Sequence, residues 1–173
     1  MKSTLNLLAI ALALATSSAA FAQTQPADTS HAHGAEQPAA APDLDVPAEA
    51  ETAVSTVDAF GRAIAAADFE QVEAMLDPAV IILESGGAER SRDEYLSHHA
   101  KSDAKFLAGA HSALSQRRAR VEGDIAWVAS ESELHASKDG KPMTLLSTET
   151  MVLNNTPSGW KIVHIHWSSR PKK

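Results

Sequence analysis

One run constrains this chain more than any other: Thr148 to Arg170, TETMVLNNTPSGWKIVHIHWSSR. It reads as two strands joined by a turn. Thr148–Leu153 and Trp160–Trp167 are rich in β-branched, apolar and aromatic residues, and Asn154, Asn155, Pro157 and Gly159 break the chain between them. His164 and His166 stand two apart, so a strand projects both from one face.

The segments before this hairpin extend the pattern. Strands are expected at Ala113–Glu122, Ile125–Ala136 and Met143–Leu153, with turns at Gly123-Asp124 and Asp139-Gly140. Upstream, Val54, Val57, Phe60 and Ile64 recur at helical spacing. Asp68 with Gln71, and Ser91 with Glu94, are capping boxes that open two further helices, the second running to about Phe106. Between them Ala79–Leu83 is a compact apolar run that reads as a buried strand closed by Ser85-Gly86-Gly87. Helices first and strands last define an α+β domain: three N-terminal-side helices on one face of a curved antiparallel sheet, enclosing a pocket.

Turn lengths then fix a register. Pairing Glu122 with Ile125, Lys138 with Lys141, and Leu153 with Trp160 aligns Arg117, Ser130, Glu149 and His164 in one row. The next row reads Ser115, Ser132, Ser147 and His166, and Val121, Ala126, Val128, Leu134, Leu145, Met151, Trp160 and Ile162 surround both. An apolar surface with one polar band is what a ligand pocket needs. The other face would carry Arg118, Arg120, Glu131, Glu133 and His135 with Trp127, Val163, Ile165 and Trp167, whose aromatics suit a subunit contact. A slip of one residue in the last loop would invert the final strand. A plainer reading makes Glu149 and His164 a cross-strand polar pair, with Arg117 a structural third member.

The helix from Ser91 adds Tyr95, His98, His99 and Ser102 on one face, with Asp103 four residues after His99. His98, His99, Asp103, His164 and His166 form a weaker alternative as zinc or copper ligands. Against it, no HExxH spacing is present, and adjacent histidines point about 100° apart on a helix. No metal or other cofactor is therefore assigned.

The N-terminus gives an address. Lys2, the apolar run Leu5–Ala15 and Ala20-Phe21-Ala22 before Gln23 form a cleavable export signal over residues 1–22. No other segment approaches the roughly 20 apolar residues a membrane helix requires. The expected location is periplasmic or secreted. Cleavage leaves 173 − 22 = 151 residues, and loss of Lys2 alone takes the net charge from −7 to −8. That acidity argues against nucleic acid and anionic membrane as partners. With no cysteine, the core holds by packing alone. Residues 23–47, crowded with Ala and Pro, read as a disordered tail in which His31 and His33 are a metal-capable pair. The folded domain is expected over 48–170.

The element order and the closing GWKIVHIHWSS resemble the nuclear transport factor 2-like superfamily, particularly its SnoaL-like and ketosteroid-isomerase-like members. The same run, preceded by Glu149-Thr150, is similar to the association (hub) domain of calcium/calmodulin-dependent protein kinase. Trp160, His164, His166 and Ser168 carry the likeness, which spans about Ala48 to Arg170. It implies a cone-shaped α+β barrel around a cavity, commonly a homodimer packed through the sheet. Its members include isomerases, cyclases, dehydratases and non-catalytic ligand or assembly modules, so fold leaves function open. In the kinase hub an arginine follows the Glu-Thr pair, where this chain has Met151. The steroid-isomerase trio of an aspartate base, a tyrosine and a protonated acid finds no residue-by-residue match, Tyr95 being the one tyrosine.

The reading adopted from sequence is an exported module binding a small organic ligand through Arg117, Ser130, Ser147, Glu149, His164, His166, Tyr95 and His99. Its alternative is an isomerase or dehydratase with Glu149 or His164 as general base and Arg117 stabilising developing charge.

Overall fold

The computed structural model describes residues 41–138 and 140–173. The expected signal segment (1–22), the His31/His33 pair and most of the tail lie outside the described residues. Part of the expected disordered tail is structured: β1 (Asp43–Asp45) pairs in parallel with β4 (His111–Glu122). The reason is charge. Arg120 donates to Asp45 at 2.7 Å, Arg118 donates to it at 3.2 Å, and Gln116 reaches Asp43 at 3.0 Å.

After a 3-10 turn at Ala48–Ala50, α1 (Glu51–Ala65) buries Ala53, Val57, Phe60, Ala63 and Ile64, the stripe its spacing predicts. Both capping boxes form. Asp68 accepts from the Gln71 N–H at 3.2 Å and opens α2 (Phe69–Met75). The Ser91 hydroxyl accepts from the Glu94 N–H at 3.1 Å and opens α3 (Arg92–Ser97). The expected single helix from Ser91 is broken at His98, whose φ of −134° is not helical, and α4 (His99–Leu107) restarts after it. Among the described residues four α-helices thus stand where three were expected, and Tyr95, His98 and Ser102 do not share one continuous face with His99.

β2 runs from Leu76 to Glu84 and turns through Ser85 (φ 48°) and Gly86 (φ 88°) into β3 (Gly87–Glu89). Two successive left-handed residues make the tight turn a two-residue hairpin requires. The meander follows as β4 (His111–Glu122), β5 (Ile125–Lys138), β6 (Lys141–Thr156) and β7 (Gly159–Pro171). The seven-stranded curved sheet has the order β1-β4-β5-β6-β7-β2-β3, with β2 parallel to β7. This is the α+β class expected. The core lies between sheet and helices, built on Phe60, Tyr95, Val128, Met151, Leu153, Ile162 and Ile165.

The β4–β5 and β5–β6 registers match the turn-based expectation along most of their length, with Ser130 opposite both Arg117 and Glu149. One irregularity between Leu114 and Gln116 turns Leu114 inward in place of Ser115. The β6–β7 register differs. Thr156 pairs with Gly159 and Leu153 with Ile162, two residues from the expected alignment, which preserves the faces. The ladder then shifts between Val152 and Leu153: Val152 faces His164 and Glu149 faces Trp167, leaving Val163 as the extra residue. From there the faces are inverted. Ile165 is fully buried, Trp167 packs on the core, and His164 and His166 lie on the outer face.

Two substitutions on β7 test this inversion. Ile165→Ala is expected to cost about 2–5 kcal/mol in urea denaturation, the range for truncating a buried aliphatic side chain. His166→Ala should stay within about 0.5 kcal/mol. The reverse ranking would overturn the assignment of faces.

Candidate functional site

A cavity of about 620 Å³ lies between the inner face of the sheet and α1 and α4. Its walls are mostly apolar: Val57, Phe60, Phe106, Leu114, Leu134 and Leu145 contribute. The sheet supplies Arg117, Ser130, Ser147, Glu149 and Trp167, α1 supplies Asp58, and Glu84 and Asp103 close another side. Among the expected ligand residues, Arg117, Ser130, Ser147 and Glu149 do meet here.

His164 and His166 do not. His164 turns its Nδ1 to the Ile81 carbonyl at 2.9 Å on the outer face, and His166 is solvent-exposed beside Thr150 and Leu83. Their expected place beside Glu149 is therefore corrected, for the reason given by the extra residue at Val163. Trp167 occupies it. The indole Nε1 donates to Glu149 Oε2 at 2.8 Å, and its ring stacks on Phe60 at 6.4 Å between centroids and meets Tyr95 at 6.3 Å.

Arg117 is the one cationic residue of the cavity lining besides Arg62, and it is already engaged. Its Nη1 donates to Asp58 Oδ1 at 2.7 Å and its Nε to the Ser130 hydroxyl at 3.1 Å, with the side chain 11% exposed. Among the described residues, no cation lies within hydrogen-bonding distance of Glu149. Burial pushes its carboxyl up from the ordinary range, against the Trp167 hydrogen bond and the more distant Arg117, while Asp58 adds to the rise.

A second polar cluster borders the same cavity. The Ser85-Gly86 turn sets Glu84 and Glu89 side by side, and α4 presents His99 and Asp103 one turn apart. His99 Nδ1 is hydrogen-bonded to Glu89, while its Nε2 lies 3.9 Å from Glu84 Oε2. Tyr95 donates from its hydroxyl to Asp103 Oδ2 at 2.9 Å. Burial raises the Glu84 and Asp103 carboxyls, and burial with Asp103 behind it raises the Tyr95 hydroxyl far above its usual range. The Glu89 hydrogen bond holds the His99 imidazole above its usual value. Tyr95 and His99 thus belong to this cluster, apart from the Arg117–Glu149 group. His98 is exposed and bonds the Ser97 hydroxyl, so the helical set His98, His99, Asp103 does not converge, and His164 and His166 lie across the sheet from it.

Sequence reasoning passes over Asp58, Glu84 and Glu89, and it sets Trp167 on the outer face, where the structure instead packs it on the core beside Glu149. Asp58 carries a legible signal, a carboxylate directly beside the buried Val57 on a helix whose apolar stripe was recognised. Glu84 and Glu89 become partners only through the Ser85-Gly86 hairpin, which read as a plain strand end.

The profile of the SnoaL-like domain matches residues 54–171. Among solved structures, a candidate ketosteroid isomerase from Shewanella frigidimarina shares 34% identity, covering 68% of this chain and 94% of its own, with a TM-score of 0.65. The CaMKII hub of S. rosetta shares 24% identity over 72% of this chain and 100% of its own, with a TM-score of 0.63. A candidate dehydratase of the NTF2-like family from Streptomyces avermitilis shares 23% over 70% and 96%, with a TM-score of 0.57. The last two likenesses show the fold alone. No curated protein matches the chain significantly.

The raised Glu149 carboxyl has a consequence for stability. Because its folded pKa lies above the unfolded value, the native state binds the extra proton, and stability falls as pH rises through the interval between the two. Glu149→Gln keeps an acceptor for Trp167 and removes that dependence. Relative to wild type, the variant should gain up to about 1.4 kcal/mol per pH unit across the interval. Urea denaturation at pH 4 and pH 8 checks this; a difference between the two proteins that does not change with pH would refute it.

Proposed function

The chain belongs to the SnoaL-like family, and from that premise we propose that its cavity receives a small, uncharged, largely apolar organic molecule bearing a carbonyl or hydroxyl group. The observation that carries the reading is Glu149: a carboxyl in an apolar cavity, pushed toward its neutral form and held by Trp167. A neutral carboxylic acid donates a hydrogen bond, which a ketone or alcohol oxygen accepts. The volume of about 620 Å³ falls in the usual range for small-molecule sites. Charge selects further. Asp58, Glu84 and Asp103 outnumber Arg117 and Arg62 on the lining, and Arg117 is spent on Asp58, so an anionic ligand is disfavoured.

A second reading is proton transfer in an isomerisation or dehydration, favoured by the same carboxyl and by the 34% likeness to a candidate ketosteroid isomerase. His164 takes no part in it, since it faces away from the cavity. Glu149 alone would polarise or deprotonate the substrate.

The two readings separate in one experiment. Trp167 lines the cavity, so its fluorescence reports filling by a panel of cyclic ketones and their carboxylate analogues. The ketones are expected to bind at least about tenfold more tightly than the carboxylates, and Leu145→Trp, which narrows the cavity, should weaken both. Preference for carboxylates would sink the ligand class. Exchange of α-protons for deuterium in the bound ketone, lowered about 10²–10⁴-fold by Glu149→Gln, marks catalysis; unchanged exchange leaves binding as the function.

Two further parts of the proposal concern context. The export signal at residues 1–22 supports a periplasmic or secreted protein. The outer face of the sheet, where Ile81 is 47% and Leu83 38% exposed near Trp127 and Val152, supports self-association through the sheet. Leu83→Lys should then shift the sedimenting species to a monomer, and an unshifted species would exclude this face.

A further inference from the structure

The cluster at the β2–β3 turn has a composition the ligand proposal does not use. One ligand-capable atom from each of Glu84, His99 and Asp103 lies within 4.8 Å of the others. The three come from two elements that meet only through tertiary packing, β2 and α4. Three carboxylates, Glu84, Glu89 and Asp103, converge on one imidazole. Among the described residues, no lysine or arginine pairs with any of them.

Orientation matters more than charge here. Glu89 occupies Nδ1 of His99, so in the neutral ring Nδ1 donates to Glu89 and Nε2 presents its lone pair toward Glu84. A carboxylate behind a histidine is the usual arrangement that fixes a metal-binding imidazole and raises its basicity. Asp103 is likewise held through one oxygen by Tyr95, leaving the other free. Glu84 and Asp103 also border the cavity, so further coordination positions would open into it. An imidazole with two carboxylates suits a divalent transition metal, and nitrogen ligation favours zinc over the alkaline-earth ions.

We propose that Glu84, His99 and Asp103 bind a divalent transition-metal cation of the zinc class, with Glu89 and Tyr95 as positioning residues. The site does not depend on the identity of the organic ligand. The simpler account of the same contacts is a protonated His99 acting as counter-charge to its carboxylates, and the two accounts predict different metal behaviour.

The test uses the full chain without a histidine tag, stripped of metal, with Zn²⁺ titrated against a chromogenic chelator. One Zn²⁺ per chain is expected at this cluster. Glu84→Gln and His99→Ala should each weaken binding at least about tenfold, and Glu89→Gln about 10–100-fold. A paired His31→Ala/His33→Ala variant and His164→Ala should leave the affinity unchanged. X-ray absorption of the zinc-loaded wild type, which does not rely on any variant folding, should report one imidazole with oxygen ligands. Absence of binding, affinity that disappears with His31 and His33, unchanged affinity in both Glu84→Gln and His99→Ala, or two or more imidazoles on the zinc would each overturn the proposal.

Discussion

The single extra residue in β7 governs what this cavity is made of. Strand side chains alternate, so one unpaired residue at Val163 exchanges everything after it between the two faces. Before it, Ile162 points into the core; after it, Ile165 and Trp167 do. Without the irregularity two imidazoles would stand beside Glu149, and the cavity would be basic and titratable near neutral pH. With it, Glu149 faces an indole that donates one hydrogen bond and cannot ionise. The same residue thus moves from a candidate ion pair to a carboxyl inclined to stay neutral.

Trp167 joins the two polar groups that border the cavity. Its Nε1 holds Glu149, and its ring touches Phe60 of α1 and Tyr95 of α3. Tyr95 in turn holds Asp103. Side chains from two strands and three helices are therefore positioned by one contact chain, α4 included through Asp103. Such chains of packed and hydrogen-bonded groups fix rotamers that a ligand would otherwise have to order on binding.

Much of this was legible in the sequence, and the limits have physical causes. Hydrophobic spacing placed α1, and two capping boxes placed the starts of α2 and α3, because those signals act within a few residues. The turn at Gly123-Asp124 and the pairing of Lys138 with Lys141 set two registers, bringing Arg117, Ser130 and Glu149 into one row. The failures are of another kind. The Val163 irregularity changes a ladder by one residue, and periodicity in VHIHW accommodates either face because Val, Ile and Trp alternate with His. The break at His98 leaves helix-forming residues on both sides, and β1 depends on arginines more than 70 positions away.

The relatives share a fold, while the chemistry of each rests on the few polar residues that project inward. Here the position after Glu149-Thr150 is decisive. Met151 is fully inside the core, opposite Val128 and Ile165. A guanidinium in its place on this inward face would put a second cation close to Glu149. It would favour the ionised carboxylate and draw in anionic groups. Methionine does neither, leaving Arg117 to neutralise Asp58 and Glu149 to be shaped by burial. Met151 on β6 and the extra residue on β7 therefore act in the same direction, both setting uncharged side chains on the inward face around Glu149.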